Sequence, residues 1–360
     1  MNSASILQDK ANRGKITAMT DENPALTSLW HPFLTGAIAW RERYLFLRAR
    51  SGSLPAEINA EQIDCQQSFK PFADELERAA WPMIQNIQKT YPIVLVLPPP
   101  QRDETRALFA QALQRVSEDG LVVVSMQNSA GAKSGENDLR QLAPNLQSTS
   151  KNKCRVFWVN KKNINETLLH DWLKLDAPRM IEATGFISRP GIFAWDRIDA
   201  ASLLLTEHLP KDLAGHGADL GAGWGYLTHT VLQHCENVKA MDVYEAEARA
   251  LECAKSNLAP FEKSIEIYYC WHDVAQGVQG PYDFVISNPP FHQGGVEVQA
   301  VGQAFIEAAA KSLKPNGRFY MVANRHLPYE ATLQKHFSGV TVLANKDGYK
   351  VFEATKLKLK

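Results

Sequence analysis

A short run near position 290 has the composition of a site that acts on an amine. Asn288, Pro289, Pro290 and Phe291 directly follow a predicted strand, Tyr282–Ser287. An amino group conjugated to a ring or a carbonyl is a poor nucleophile because its lone pair is delocalised. The side-chain oxygen of Asn288 and the main-chain carbonyl of Pro289 can accept hydrogen bonds from such a group, and Phe291 can stack on a planar substrate. An Asn-Pro-Pro sequence by itself is also typical of a plain turn, so its position after a strand matters.

A glycine-rich turn precedes this run in the sequence. Residues 218–225 read ADLGAGWG, which places Gly221, Gly223 and Gly225 before the amphipathic segment Tyr226–Cys235. A turn of this kind between a strand and a helix lets a cofactor lie close to main-chain amides. Glycines also form ordinary turns, so the pattern alone is weak evidence for a cofactor.

Three acidic residues indicate which cofactor this turn would bind. Asp219 precedes the turn, where its charge would repel a phosphate and attract an amino group. Asp242 is predicted to close the next strand, where ribose hydroxyls are usually held, and Asp273 follows a third apolar run. These features favour S-adenosylmethionine over a dinucleotide. The predicted cofactor-binding residues are Asp219, Gly221, Gly223, Gly225, Asp242, Asp273 and Asn288.

From Trp30 onward, short apolar runs alternate with helix-length amphipathic segments, which is typical of an α/β fold. The predicted strands are Tyr44–Leu47, Ile93–Leu97, Leu121–Ser125, Arg155–Val159, Ala218–Leu220, Val238–Met241, Tyr282–Ser287, Arg318–Val322 and Lys350–Ala354. The predicted helices include Glu104–Val116 and Gln299–Leu313.

The two halves of the chain share an order of features. In each half an apolar strand ends in consecutive prolines, a helix follows, and an Asn-Gly or Asp-Gly pair precedes another strand. This repeat predicts two tandem Rossmann-like domains, a degenerate one over 30–180 and a catalytic one over 185–360, behind a loosely held arm over 1–29. Any two α/β domains share part of this order, which is the simpler alternative. Leu97 stands where the second half has Asn288, and the residues after the strand Tyr44–Leu47, RARSG at 48–52, contain neither Asp nor Gly-x-Gly. We therefore predict that the first half neither catalyses nor binds the cofactor.

Composition limits the partners and the compartment. The chain has 39 Lys and Arg against 39 Asp and Glu, so no strong net charge attracts nucleic acid. Its five cysteines form no Cys-x-x-Cys pair, which argues against a zinc cluster or disulfides, and we expect no metal. We also expect no signal peptide, no membrane-spanning segment and a cytoplasmic protein.

Two basic and aromatic clusters in the first half can be interpreted either as RNA contacts or as strand edges with buried aromatics. One cluster comprises Trp40, Arg41, Arg43, Tyr44, Arg48 and Arg50. The other comprises Lys151, Lys153, Arg155, Phe157, Trp158, Lys161 and Lys162.

The second half resembles class I S-adenosylmethionine-dependent methyltransferases of the Asn-Pro-Pro-aromatic type. It is most similar to the bacterial small-subunit ribosomal RNA guanine-N2 methyltransferases. The resemblance rests on residues 190–193 (PGIF), 199–202 (DAAS), 219–223 (DLGAG) and 286–292 (ISNPPFH). The chain departs from the family at Ala194, Trp195, Arg197 and Ala201.

The resemblance implies two class I methyltransferase domains, the first degenerate, and methyl transfer from S-adenosylmethionine to guanine N2 in small-subunit ribosomal RNA. It also implies action on RNA, either naked or in the assembled subunit, without a metal. We expect the protein to be a monomer. Other substrates suit an Asn-Pro-Pro-aromatic site, namely a guanine of the large-subunit RNA, glutamine side chains of proteins, and adenine in DNA. A further alternative is a non-catalytic RNA-binding assembly protein that retains affinity for the cofactor.

Overall fold

The computed structural model describes residues 23–290 and 296–356, and in them the chain forms two large β-sheets with helices on both faces. The central strands of both sheets are buried on both sides. Leu45 and Leu47 face one core of the first sheet, whereas Tyr44 and Phe46 face the other. Strands covered on both faces are apolar throughout, which explains why the sequence shows them as continuous apolar runs.

The first half contains a six-stranded sheet. Its strands are β1 (Tyr44–Leu47), β2 (Ile63–Gln66), β3 (Tyr91–Val96), β4 (Val116–Gln127), β5 (Gln147–Lys151) and β6 (Cys154–Asn160). Its helices are α1 (Pro24–Leu29), α2 (His31–Leu34), α3 (Lys70–Arg78), α4 (Arg102–Arg115), α5 (Ala132–Leu142) and α6 (Glu166–Leu173).

The second half begins with a hairpin, β7 (Arg179–Ile181) and β8 (Phe186–Ser188), and continues into a seven-stranded sheet. The strands of that sheet are β9 (Ala214–Leu220), β10 (Asn237–Glu245), β11 (Glu266–Trp271), β12 (Tyr282–Ser287), β13 (Leu313–Asn324), β14 (Gly339–Lys346) and β15 (Tyr349–Thr355). Its helices are α7 (Ala200–His208), α8 (Tyr226–His234), α9 (Ala248–Leu258), α10 (Val296–Ser312) and α11 (Tyr329–His336). Among the described helices, none is both long enough and apolar enough to cross a bilayer.

The two sheets have the same topology. The first has the order β2-β1-β3-β4-β6-β5 and the second β11-β10-β9-β12-β13-β15-β14, so the second differs only by the additional outer strand β11. In both sheets only the strand next to the outermost one, β6 or β15, runs antiparallel to its two neighbours, and all other pairings are parallel. Even the alternation of buried and exposed residues is identical along β4 and β13. The predicted fold, two tandem α/β halves, is confirmed.

The arm predicted over 1–29 is wrong for its last residues. Pro24–Leu29 form α1, in which Leu26 and Leu29 are buried against the core of the first sheet. Asn23 caps this helix by accepting a hydrogen bond from the Ala25 amide. The remaining part of the predicted arm, residues 1–22, lies outside the described residues.

The two halves are joined by main-chain hydrogen bonds at the carboxyl edge of the second sheet. Phe69 forms an antiparallel bridge with Glu247. The Lys70 amide donates to the Ala246 carbonyl at 2.8 Å, and the Ala248 amide donates to the Ser68 carbonyl at 2.9 Å. The segment that follows β10 is therefore held by the first half.

Beside this bridge lies a network of largely buried ion pairs. Arg48 pairs with Glu104 and Glu247, and Arg249 pairs with Glu104, Glu247 and Asp176. Burial alone would raise the pKa of Glu247, but Arg48 and Arg249 lower it to about 2. Each charge depends on its partners because the Arg249 side chain is only 12% exposed and that of Glu104 only 1%.

We expect Arg249→Ala to lower the free energy of unfolding by about 3–5 kcal/mol, because it leaves the buried Glu104 and the largely buried Glu247 and Asp176 without one of their cations. Urea denaturation measures this loss. The control is Lys346→Ala, which removes a pair between two exposed side chains and should have no measurable effect. Equal midpoints for Arg249→Ala and wild type would contradict a structural role for the network.

Candidate active site

The site forms where the strand order of the second sheet reverses. From β9 the chain proceeds outward through β10 to β11 and then returns to β12 on the other side of β9. The carboxyl ends of β9 and β12 are therefore adjacent, and the Ser287 hydroxyl donates to the Leu220 carbonyl at 2.7 Å. Crevices at such reversals are the usual ligand sites of parallel sheets.

A cleft opens at this point between the glycine turn, the start of α7 and the end of β12. The residues that line it are Phe193, Ala194, Asp199, Ser202, Gly221, Ala222, Gly223, Trp224, Tyr226, Leu227 and Asn288. The structure thus brings together the predicted residues Gly221, Gly223 and Asn288.

Main-chain hydrogen bonds to β10 hold the glycine turn in place. The Gly221 and Ala222 amides both donate to the Tyr244 carbonyl, at 2.9 and 3.0 Å. Gly221 and Gly223 have φ of +75° and +57°, in the left-handed region that side chains disfavour. A Cβ added at Gly223 would meet no described atom within 4 Å, so backbone conformation rather than space requires glycine there.

Asp219 lies beneath the turn and is fully buried. Its Oδ2 accepts hydrogen bonds from the Thr228 amide at 3.2 Å and the Thr228 hydroxyl at 2.7 Å, which tie the turn to α8. Its Oδ1 is buried without a hydrogen-bond partner among the described residues. Burial raises the pKa of the Asp219 carboxyl to about 7, although the bonds from Thr228 act in the opposite direction.

Asp242 does not close its strand, and that prediction is wrong. β10 continues to Glu245, and Asp242 instead pairs across the sheet with Ala218. Its carboxylate accepts from Tyr282 of β12 at 2.5 Å and bonds His216 of β9 at 2.7 Å, so each of its oxygens has a partner on another strand of the sheet. The acid at the strand end is Glu245.

Glu245 links the glycine turn to the interface between the halves. Its Oε2 accepts from the Gly223 amide at 2.7 Å, and its Oε1 accepts from the Glu247 amide at 2.8 Å. Burial raises the pKa of the Glu245 carboxyl. The sequence feature that could have identified Glu245 is its position three residues after Asp242, at the end of an apolar run.

The other predicted site residues lie around the cleft. Gly225 is the N-cap of α8, where an added Cβ would approach Ala254 at 3.3 Å. Asp273 caps a short turn after β11 by accepting from the Ala275 amide. Pro289 is buried and Pro290 is exposed. Phe291 lies outside the described residues.

The Asn288 side chain has one satisfied end and one unsatisfied end. Its Nδ2 donates to Asp199 Oδ2 at 3.0 Å and to Ser202 Oγ at 2.8 Å. Its Oδ1 is buried and has no partner among the described residues. A buried acceptor without a donor is costly, and it suits an incoming N–H group. Asp199 and Ser202 were part of the sequence resemblance but were not predicted as site residues.

Three aromatic residues of the basic and aromatic clusters in the first half are not exposed. Tyr44, Phe157 and Trp158 are buried in the two cores of the first sheet. Arg48 belongs to the ion-pair network, and Arg155 pairs with Glu136. The burial of these three aromatics favours the alternative interpretation, strand edges with buried aromatics. No group of three or more His, Cys, Asp or Glu within the described ranges is placed to hold a metal ion.

Comparison with known proteins gives one family. A family model described as the methyltransferase small domain matches residues 183–353. A ribosomal RNA small subunit methyltransferase C of Shewanella pealeana is 30% identical over 254 residues, which cover 69% of this chain and 73% of that protein. A protein of the same name from Alteromonas mediterranea is 26% identical over 272 residues, covering 75% and 74%.

A solved structure has a similar fold over most of the chain. It is a T. thermophilus 16S rRNA N2 methyltransferase in complex with AdoMet and guanosine. It superposes with a TM-score of 0.74 over 91% of each chain, at 22% sequence identity. The arrangement of two sheets is therefore that of a known tandem fold.

We expect the stability difference between Asp219→Asn and wild type to depend on pH. An acid whose pKa is higher in the folded state binds a proton there that the unfolded chain has already lost, so its contribution to stability falls as pH rises from about 4 to about 7. Between pH 5 and pH 8 the variant should therefore gain roughly 2 kcal/mol relative to wild type in urea denaturation. Asp347→Asn, in an exposed turn, serves as the control. A difference that stays constant over this range would show that Asp219 is not protonated in the folded protein near neutral pH.

Proposed function

Because this chain belongs to the ribosomal RNA small subunit methyltransferase C family, we propose that it transfers a methyl group from S-adenosylmethionine to the exocyclic N2 of a guanine in small-subunit ribosomal RNA. The observation that carries the proposal is the buried Asn288 Oδ1, which has no donor among the described residues and lies beside the glycine turn. An exocyclic amine supplies that donor.

The residues around the turn fit the cofactor. Gly221 and Gly223 expose main chain in a conformation that lets a ligand approach closely, and the buried Asp219 Oδ1 lacks a partner among the described residues. S-adenosylmethionine supplies an electrophilic methyl on a positively charged sulfur when it is bound. We propose that Glu245, rather than Asp242, binds the ribose hydroxyls, because it ends the strand next to the turn. We also propose that Asp273, which follows β11, contacts the adenine part of the cofactor.

The chain's contribution to the reaction is mainly the positioning of the amine. Asn288 Oδ1 and the Pro289 carbonyl would accept the two N–H bonds of the guanine amine. Hydrogen bonds in these directions favour a pyramidal nitrogen whose lone pair points at the methyl group. Holding two reactants in line in this way accounts for a large part of such a rate enhancement. The proton can leave to water after the transfer, and no side chain needs to act as a general base.

We propose that the first half, over 30–180, serves as a structural partner of the catalytic half, over 185–360. In the position where the second half has its glycine turn, the first half has Arg48, which crosses to Glu247. The bridge between Phe69 and Glu247 holds the segment directly after Glu245. The first half thereby supports the carboxylate that we assign to the ribose.

We also propose the compartment, the oligomeric state and the form of the RNA substrate. The protein would act in the cytoplasm, as a monomer, on ribosomal RNA either free or within the assembled small subunit. Methyl incorporation into purified RNA and into purified subunits distinguishes the two substrates. Mapping of N2-methylguanine in the RNA then identifies the nucleotide.

We expect Asn288→Ala to reduce turnover about a hundredfold, the scale of losing one well-placed polar contact to the reacting group. The affinity for S-adenosylmethionine should change much less. The measurement is transfer of labelled methyl to ribosomal RNA, with nucleoside analysis for N2-methylguanine. Asn345→Ala, an exposed asparagine on β14, is the matched control. Near-normal single-turnover methylation by the Asn288 variant, or a product other than N2-methylguanine, would contradict the proposed function.

We expect Glu245→Gln and Asp242→Asn to differ in cofactor binding. Glu245→Gln removes a charged acceptor, which typically weakens a hydrogen-bonded ligand by about tenfold or more. Asp242→Asn should leave the dissociation constant within about twofold, because its carboxylate bonds only His216 and Tyr282 among the described residues. Titration calorimetry should give one site per chain in the wild type. A large effect of Asp242→Asn together with none of Glu245→Gln would restore Asp242 as the ribose ligand.

A further inference from the structure

We propose that Asp199 and Ser202 are positioning residues that determine which end of the Asn288 amide faces the substrate. The inference rests on the proposed function, in which the oxygen end of that amide accepts the amine. It assigns a role to residues at the start of α7, which contact Asn288 from a different part of the chain.

The two ends of an asparagine amide are nearly equal in size but opposite in hydrogen bonding. The NH2 end only donates, whereas the oxygen end only accepts. An asparagine in a symmetrical pocket could adopt either orientation by a half-turn of its terminal torsion. The neighbouring groups therefore decide which end points into the cleft.

At Asn288 the neighbours allow only one orientation. Asp199 Oδ2 already accepts from the Ser202 amide and acts as an acceptor, so the group that faces it at 3.0 Å is the Nδ2 donor. Ser202 Oγ accepts the second Nδ2 hydrogen at 2.8 Å. In the reverse orientation Oδ1 would face the carboxylate oxygen, with electrostatic repulsion and a lost charge-assisted hydrogen bond.

This orientation leaves the Asn288 side-chain oxygen without a hydrogen-bond donor among the described residues. With both Nδ2 hydrogens used, Oδ1 is left buried without a partner among the described residues, and Asp199, Ser202 and Asn288 all line the same cleft. A flipped amide would instead present NH2 to the substrate's own NH2, two donors facing each other. Asp199 thus acts on the reaction through Asn288.

Asp199 is itself held in place at the start of α7. The same Asp199 Oδ2 accepts from the Ser202 amide at 2.9 Å and so caps α7. Leu204 and Leu205 on this helix are buried in the core beneath the sheet. The orientation of the amide is therefore fixed by a packed helix rather than by the turn that carries Asn288.

Substitutions can separate positioning from simple helix capping. Asp199→Ser keeps a good N-cap residue but shortens the side chain so that it no longer reaches Asn288. Asp199→Asn keeps both the cap and an acceptor oxygen at full length. The matched control is Asn165→Ser, which makes the same kind of cap exchange on α6 in the first half.

The expected results are kinetic. Asp199→Ser should lower kcat for methyl transfer to ribosomal RNA by roughly tenfold or more, the usual effect of leaving a buried polar group unpaired. Asp199→Asn should retain most of the activity, Ser202→Ala should lose several-fold, and Asn165→Ser should match wild type. The dissociation constant of S-adenosylmethionine should stay within about threefold in all four, because none of them alters the glycine turn or Glu245.

The decisive measurement is a double-mutant cycle with Asn288→Ala. If Asp199 acts through Asn288, Asp199→Ser should add less than about twofold to the loss already caused by Asn288→Ala. Multiplicative losses would mean that Asp199 contacts the substrate or merely supports α7, and would overturn the inference. If Asn288→Ala is impaired and Asp199→Ser is not, only the positioning role fails. If Asn288→Ala itself has normal turnover, the proposed function fails and the inference fails with it.

Discussion

The site depends on the adjacency of two parallel strands, β9 and β12, at the point where the strand order of the second sheet reverses. The hydrogen bond from Ser287 to Leu220 fixes the relative height of their carboxyl ends. One end continues into the glycine turn and the other into Asn288. Because both segments are set by the same pair of strands, a shift of either strand would separate the cofactor residues from the residue that orients the amine.

The two halves share a frame, but only the second has the residues of this site. The strand order and the burial pattern of β4 and β13 are the same in both halves. The chemistry differs at two positions, since Leu97 corresponds to Asn288 and Arg48 follows the strand that corresponds to β9. Arg48 now pairs with Glu104 and Glu247, so a position that would hold cofactor main chain holds the two halves together.

The acidic residues illustrate how a single strand can mislead an interpretation from sequence. Asp242 and Glu245 are three residues apart on β10, and either could end it. The register with β9 and β11 extends the strand to Glu245, and the hydroxyl of Tyr282 reaches Asp242 from a strand forty residues away in sequence. The length of a strand is decided by its neighbours in the sheet, which a single segment does not reveal.

The sequence by itself determined the α/β class, the two halves, the glycine turn and the position of Asn288, because these depend on local patterns of apolar residues, glycine and proline. Tertiary structure decided the rest. The direction of the Asn288 amide depends on Asp199 and Ser202, more than eighty residues earlier in the chain. The burial of the aromatic residues in the basic and aromatic clusters depends on which strand faces the helices cover. Contacts of this kind join residues distant in sequence, and no local pattern encodes which of them will meet.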